Sequence, residues 1–258
     1  MEIEEKFTPN LDLGQHFLID KKVIDKEIAI ADLSKQDMVI EIGAGSGSLT
    51  EQLALKSKEV LAFELDPRMN VFLDALEKKH GNLKVVYGDA MKFSWKRHNK
   101  LVSNIPYFLA EPLMKKAIES GIDEMSLIVG ENFKDIILEN KSKIGITVNL
   151  FFDFTPVMIV KKSSFSPEPR VDSWLVKLKR KTKSTKQERV LQSIVLKRGK
   201  IKNAIIRSMV DEGITKNQAR EFISKMGFDE YTLNKPVVSI TGRFLEKIRD
   251  GLKKFKLE

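Results

Sequence analysis

One stretch constrains this chain more than any other: Val39-Ile40-Glu41-Ile42-Gly43-Ala44-Gly45-Ser46-Gly47. Its first residues read as a short apolar strand. Three glycines at alternate positions follow, and Leu49–Ser57 then has helical spacing. Glycines so placed let the backbone turn sharply at a strand end and pass close beneath a ligand. A glycine-rich turn can also serve only to pack a strand tightly on a helix, so the surrounding chain has to decide.

That chain repeats the unit. Met38–Gly43, Glu59–Leu65, Leu83–Asp89, Lys100–Asn104 and Met125–Val129 read as strands, and helical stretches such as Leu49–Ser57, Arg68–Lys79 and Pro112–Ser120 lie between them. Strand–helix alternation predicts a parallel sheet with helices on both faces. Two further strands are expected at Pro156–Val160 and Trp174–Lys179. The second ends in clean alternation, as an antiparallel strand does. Lys181–Lys186 is polar and basic, like a linker. Beyond it Gln187–Leu196, Lys200–Asp211, Lys216–Lys225 and Gly242–Lys253 have helical spacing. The expected fold is α/β, a Rossmann-like sheet over residues 1–182, with a small helical C-terminal domain over 187–258.

The acids at the strand ends point to a nucleoside-type cofactor. Glu64 stands 21 positions after Gly43, near the end of the second strand, where a carboxylate accepts both ribose hydroxyls. A dinucleotide fingerprint wants glycine or alanine three residues after its second glycine, and position 48 is serine. The pattern Glu-x-Gly-x-Gly-x-Gly instead suits S-adenosyl-L-methionine, which has no pyrophosphate to seat, and whose sulfonium favours an acid such as Glu41. Gly43, Gly45 and Gly47 form the turn. Asp89, closing the third strand, is placed to accept a hydrogen bond from the adenine amino group of the cofactor.

Asn104-Ile105-Pro106-Tyr107 ends the fourth strand, at the same sheet edge as the glycines. The exocyclic nitrogen of adenine is a poor nucleophile, because its lone pair is delocalised into the ring. Two acceptors holding its two N–H bonds draw that pair out of conjugation. Asn104 offers a side-chain oxygen, and Ile105 or Pro106 a backbone carbonyl. Tyr107 offers a face on which an unstacked base can rest. Methyl transfer then needs positioning more than a strong base.

Charge bears on the partner. The chain carries +9 overall, yet twelve Lys and Arg against the single acid Glu188 lie between Lys177 and Ser208. Such a block fits a polyanion, or a solvated lysine-rich face. Arg198, Lys200, Lys202 and Arg207 are the expected phosphate contacts, from charge density and helical spacing. The chain has no cysteine, which excludes disulfides and thiolate zinc sites. Its three histidines, His16, His80 and His98, have no metal-ligand spacing, and no metal is expected. Met1–Asn10 does not read as a secretory signal, and no apolar run approaches the roughly 20 residues of a membrane helix. A cytoplasmic monomer without membrane contact is expected.

Taken in order, Gly14-Gln15-His16-Phe17-Leu18-Ile19-Asp20, the run from Glu41 to Thr50, Phe63-Glu64-Leu65-Asp66, Gly88-Asp89-Ala90, Asn104-Ile105-Pro106-Tyr107 and Phe165–Ser173 resemble the small-subunit ribosomal RNA adenine N6,N6-dimethyltransferases. The resemblance implies that His16 and Leu18 contact the cofactor from an N-terminal segment folded over it, and that Gly43, Glu64, Asp89 and Asn104 line the same pocket. It implies that Phe165 stacks on the target adenine opposite Tyr107. The implied reaction is N6,N6-dimethylation of two adjacent adenosines in a hairpin loop near the 3′ end of small-subunit rRNA. The implied partner is that rRNA within a partly assembled 30S particle, with a role in small-subunit biogenesis. The chain departs from the family at His16, where Asn is frequent, at Ile105, and at Phe108-Leu109-Ala110-Glu111, which replaces a serine-containing sequence. Within Ile144–Phe152 it also lacks the arginine and glutamine that the family leads one to expect. Rival readings are a large-subunit rRNA adenine N6-methyltransferase of the resistance type, a protein-glutamine methyltransferase, and a non-catalytic assembly factor.

Overall fold

The structure, a computed structural model, describes residues 8–10 and 14–255, apart from the side chain of Tyr107. Most of the amino-terminal stretch read above for a secretory signal lies outside the described residues.

The chain opens with β1 (Phe17–Leu18) and α1 (Lys21–Ala31). Asp20 caps α1 by accepting the Lys22 N–H at 2.9 Å, and Val23, Ile24, Glu27, Ile28 and Ala31 form its buried face. Interleaved Lys21, Lys22, Asp25 and Lys26 hide that stripe, which the sequence reading passed over. Then come β2 (Met38–Ile42), α2 (Ser48–Lys56), β3 (Glu59–Glu64), α3 (Asn70–Lys79), β4 (Leu83–Tyr87), β5 (Lys100–Asn104), α4 (Ala110–Ser120) and β6 (Glu124–Gly130). After α5 (Glu131–Glu139) and α6 (Lys143–Phe151) come β7 (Phe152–Val160), β8 (Phe165–Ser166) and β9 (Ser173–Arg180). The rest is helical: α7 (Lys186–Leu196), α8 (Ile201–Asp211), α9 (Lys216–Lys225), α10 (Glu230–Asn234) and α11 (Gly242–Lys254).

The main sheet has the order β4-β3-β2-β5-β6-β9-β7. The pairs from β4 through β6 are parallel, as the alternation predicts, and β9 runs antiparallel to β6. Val39, Val60, Leu53, Leu73, Val85 and Val102 are among the side chains filling the core around β2 and β3. Each such side chain contributes about 1.5–3 kcal/mol by leaving water.

Strand order reverses at β2, which has β3 on one side and β5 on the other. Ligand crevices of open α/β sheets form at such a point, beyond the C-terminal strand ends. Here the crevice is built into the register. The β2–β5 ladder runs through Val39↔Lys100 and Ile40↔Leu101. Beyond it Ser103 Oγ takes over, accepting from the Ile42 N–H at 3.3 Å and donating to the Ile42 carbonyl at 2.5 Å. A side chain thus spaces the strands where backbone pairing would have closed them.

Contacts divide the chain into two compact units: residues 1–134 with 154–180, and residues 135–153 with 181–258. A boundary after residue 182 therefore needs a correction, because 135–153 goes with the C-terminal helices. The cause is the apolar face of α6: Ile146, Val148, Leu150 and Phe151 are buried, and α6 packs on α7 and α11. Within this unit Thr185 and Glu188 form a capping box on α7, and Leu245, Ile248 and Leu252 form the buried stripe of α11. Among the described residues no helix is long and apolar enough to cross a membrane.

Candidate active site

A cavity of about 410 Å³ opens at the C-terminal ends of β2, β3, β4 and β5. His16, Leu18, Glu41, Gly43, Gly45, Glu64, Asp89, Asn104, Ile105, Pro106 and Phe165 all line it. Residues some 150 positions apart thus share one wall. β1 pairs antiparallel with β8, setting Phe17 opposite Ser166 and Leu18 opposite Phe165, and the His16 ring Nδ1 bonds the Pro167 carbonyl at 2.7 Å.

The glycine turn is fastened to β3. The N–H groups of Gly43 and Ala44 donate to the Phe63 carbonyl at 2.8 and 3.0 Å. Gly45 has φ +54°, and a Cβ there would meet the Phe17 ring at 3.1 Å, so the turn and the segment above it meet only because this position is glycine. Glu64 accepts from the N–H of Gly45 and of Asp66, each at 2.8 Å. Burial pushes its carboxyl up, while these N–H groups oppose the shift. One bond on each oxygen orients the carboxylate and leaves lone pairs for further donors.

Beneath the turn lies Glu41, 1% exposed, with Oε2 unpartnered. Burial raises its pKa to about 8. The Thr50 hydroxyl opposes that shift without making a well-formed hydrogen bond, and the charge of Glu64 adds to it. Glu27, from α1, is fully buried as well, with both carboxyl oxygens unpartnered. Burial, then the charge of Glu41, drive its pKa well up. On the rim Asp89 Oδ1 caps the turn Ala90–Lys92 by accepting the Met91 N–H at 2.9 Å. Trp95, wholly buried, holds that turn through its indole N–H on the Ala90 carbonyl at 3.1 Å. Trp174, the other tryptophan, is half-buried on β9 with Lys134 Nζ 4.4 Å from its ring centre.

Asn104 Nδ2 donates to the His16 carbonyl at 3.2 Å. Its amide is thereby oriented, with the oxygen as the end turned from that bond. The departure at position 16 is explained by the same contact: the backbone carbonyl holds Asn104, whatever the side chain, while the imidazole ties the segment to Pro167. Of the two backbone carbonyls left open by the sequence, that of Pro106 is taken by the Leu109 N–H at 2.9 Å in the following turn. The Tyr107 side chain, expected to stack on the base, lies outside the described residues. Phe165, 3% exposed, forms part of the cavity wall.

Gly47 is a correction, since it is not on the cavity wall. It caps α2 with φ +86°, and a Cβ there would run into Leu76, so its glycine serves helix packing. Arg198, Lys200, Lys202 and Arg207 lie in the C-terminal unit. Arg198 and Arg207 are exposed, Lys200 Nζ bonds Asn234 Oδ1 at 3.0 Å, and Lys202 pairs with Glu230 at 3.6 Å. The sequence reading missed Phe17, the ring over Gly45, and Gln15, whose Nε2 donates to Asp66 at 3.0 Å. Both stand inside the quoted N-terminal motif, which was the available signal. It also missed Glu27. Among the described residues no group of His, Asp and Glu is placed to hold a metal ion.

The family model described as "Ribosomal RNA adenine dimethylase" matches residues 6–237. A protein of Pyrococcus abyssi described as "Probable ribosomal RNA small subunit methyltransferase A" is 38% identical over 65% of this chain and 64% of its own length, just under two thirds of that relative. A protein of Methanococcus maripaludis with the same description is 34% identical over 83% of this chain and 87% of its own. Among solved structures, a dimethyladenosine transferase from Plasmodium falciparum superposes with a TM-score of 0.63 at 26% identity, covering 93% of this chain and 98% of that one.

Proposed function

This chain belongs to the ribosomal RNA adenine dimethylase family, and from that premise we propose that it dimethylates N6 of two adjacent adenosines near the 3′ end of small-subunit rRNA, using adenosylmethionine. The observation that carries the reading is the oriented Asn104 amide at the edge of the β2–β5 crevice.

The wall residues suit that cofactor. Glu64 and Asp89 offer acceptors for ribose hydroxyls and an adenine amino group, and Gly43 and Gly45 leave backbone space beneath. The unpartnered, buried Glu41 suits a ligand that brings positive charge. Adenosylmethionine, when bound, supplies a methyl carbon made electrophilic by its sulfonium.

The remaining work belongs to the chain. Asn104 Oδ1 accepts one N–H of the target amino group and the Ile105 carbonyl the other, while the Pro106 carbonyl closes the following turn through the Leu109 N–H. Together they localise the nitrogen lone pair and aim it. Phe165 supplies a face against which the extruded base rests. Positioning of this kind is worth several orders of magnitude in rate. After one methylation a single N–H remains, so one acceptor gives way to a methyl in the second round, and the wall at Ile105 and Phe165 is apolar enough to take it.

The C-terminal unit, with exposed Arg198 and Arg207, contributes phosphate contacts that give affinity and no sequence choice. We place the action of a monomer on a partly assembled small subunit in the cytoplasm. The test is incubation of the protein and labelled adenosylmethionine with unmethylated small subunits and, separately, large subunits. N6,N6-dimethyladenosine in small-subunit RNA alone supports the reading. Label in large-subunit RNA alone would move the protein to the resistance type, and label in neither would end the rRNA assignment.

A further inference from the structure

Phe108 follows the Asn104–Tyr107 motif and departs from the family's sequence there. It is 66% exposed, yet it lines the cavity. The other phenylalanines on that wall, Phe17, Phe63 and Phe165, are buried. Among the described side chains Phe108 is therefore the aromatic ring that reaches from the wall into solvent, which places it at the mouth. It is also held in place. It sits in a tight turn closed by the Leu109 N–H on the Pro106 carbonyl, directly before α4. Its ring lies against Gly14, where a Cβ would stand 3.5 Å from Phe108 Cε1 and 3.4 Å from Pro106 Cβ. An exposed aromatic face at the entrance of a base-binding cavity has an obvious complement, since every nucleobase has a π-face and stacking on aromatic side chains tolerates sequence.

We propose that Phe108 stacks on the nucleobase adjacent to the target adenosine and holds it at the mouth while the target occupies the cavity. This rests on the substrate reading above and adds a substrate-positioning residue to it. The target base itself is an unsuitable partner for Phe108, because the two acceptors that must grip it, at Asn104 and Ile105, lie on the half-buried and buried wall, whereas this ring faces water. An extruded target leaves its neighbour with one stacking face uncovered, and the ring supplies a replacement. A polar residue at 108 could hydrogen-bond a neighbour's edge but could not offer that face.

The experiment is steady-state methylation of unmethylated small subunits by wild type, Phe108→Ala, Phe108→Leu and Phe108→Trp, with the adenosylmethionine dissociation constant measured for each by calorimetry. Stacking predicts a KM for the subunit raised roughly 5- to 150-fold in the Ala and Leu variants, the span that base–aromatic stacking covers. It predicts a near-wild-type KM for Trp, and cofactor binding within about twofold throughout. Three results would overturn it. One is an Ala variant whose KM matches wild type. Another is full rescue by Leu, which would show that Phe108 only packs against Gly14 and Pro106. The third is a cofactor dissociation constant that rises as much as KM, which would assign the ring to the cofactor site. Failure of the wild type to methylate small subunits at all is a separate outcome: it removes the substrate reading, and the stacking role with it.

Discussion

At the scale of single residues the site depends on groups whose ordinary behaviour has been altered by burial. Glu41 is the clearest case. Burial, seconded by the charge of Glu64, penalises the charged form and pushes its carboxyl up to about 8. An unfolded glutamate titrates near 4.5. Between those values the folded state keeps a proton that the unfolded state has released, so stability falls as pH rises from about 5 to 8. The slope is at most about 1.4 kcal/mol per pH unit for this group. Glu27 has the same sign. Urea midpoints at pH 5, 6, 7 and 8 should therefore decline in the wild type and decline less in Glu41→Gln, and equal slopes would contradict this assignment. Much at this scale was legible. Glu41, Glu64, Asp89 and Asn104 could be picked out because strand ends in a parallel sheet converge on one edge. Glu27 was not, because a single acid on an amphipathic helix reads as solvated until the helix face is known. Gly47 was read as part of the cofactor cradle because three alternate glycines look alike. Only packing against Leu76 separates it from Gly45.

At the scale of elements the crevice depends on how β2 and β5 part. Ser103 satisfies both backbone groups of Ile42, and all of this is buried. Ser103→Ala would leave a buried N–H and carbonyl without partners, at a cost of about 2–4 kcal/mol. The change is read as a fall in denaturation midpoint, and a variant as stable as wild type would show that the strands re-pair without the hydroxyl. The glycine turn carries a companion expectation. Gly47→Ala combines a left-handed backbone with a collision at Leu76 and should cost about 2–4 kcal/mol by the same measurement. Strands of the parallel sheet were readable because each is a short apolar run between turn signals. β1 and β8 have two residues each and carry no periodicity, so the clamp that brings Phe165 to Leu18 could come only from the family motif. α5 and α6 were passed over, and with them the membership of 135–153 in the C-terminal unit, since the buried stripe of α6 has meaning only opposite α7 and α11.

At the scale of the whole molecule, charge and chemistry are divided between the two units. The α/β unit carries the cavity, while Arg198 and Arg207 stand exposed in the helical unit. If they contact phosphates, a double Arg198→Ala, Arg207→Ala variant should bind rRNA more weakly, with the salt dependence log K against log[salt] shallower by about 1.4–1.8. Filter binding across salt concentrations checks this, and calorimetry should show unchanged cofactor affinity. An unchanged slope would return both arginines to a solvated face. The basic block was visible in sequence, but which of its members are engaged was not. Lys200 and Lys202 are tied to Asn234 and Glu230, residues some thirty positions away. The central claim remains that Asn104, fixed by the His16 carbonyl, aims the adenine nitrogen. The most direct test is the single-turnover rate of methyl transfer to unmethylated small subunits by Asn104→Ala at saturating adenosylmethionine. The account predicts a fall of at least about 100-fold with cofactor still bound. A rate within about threefold of wild type would contradict it.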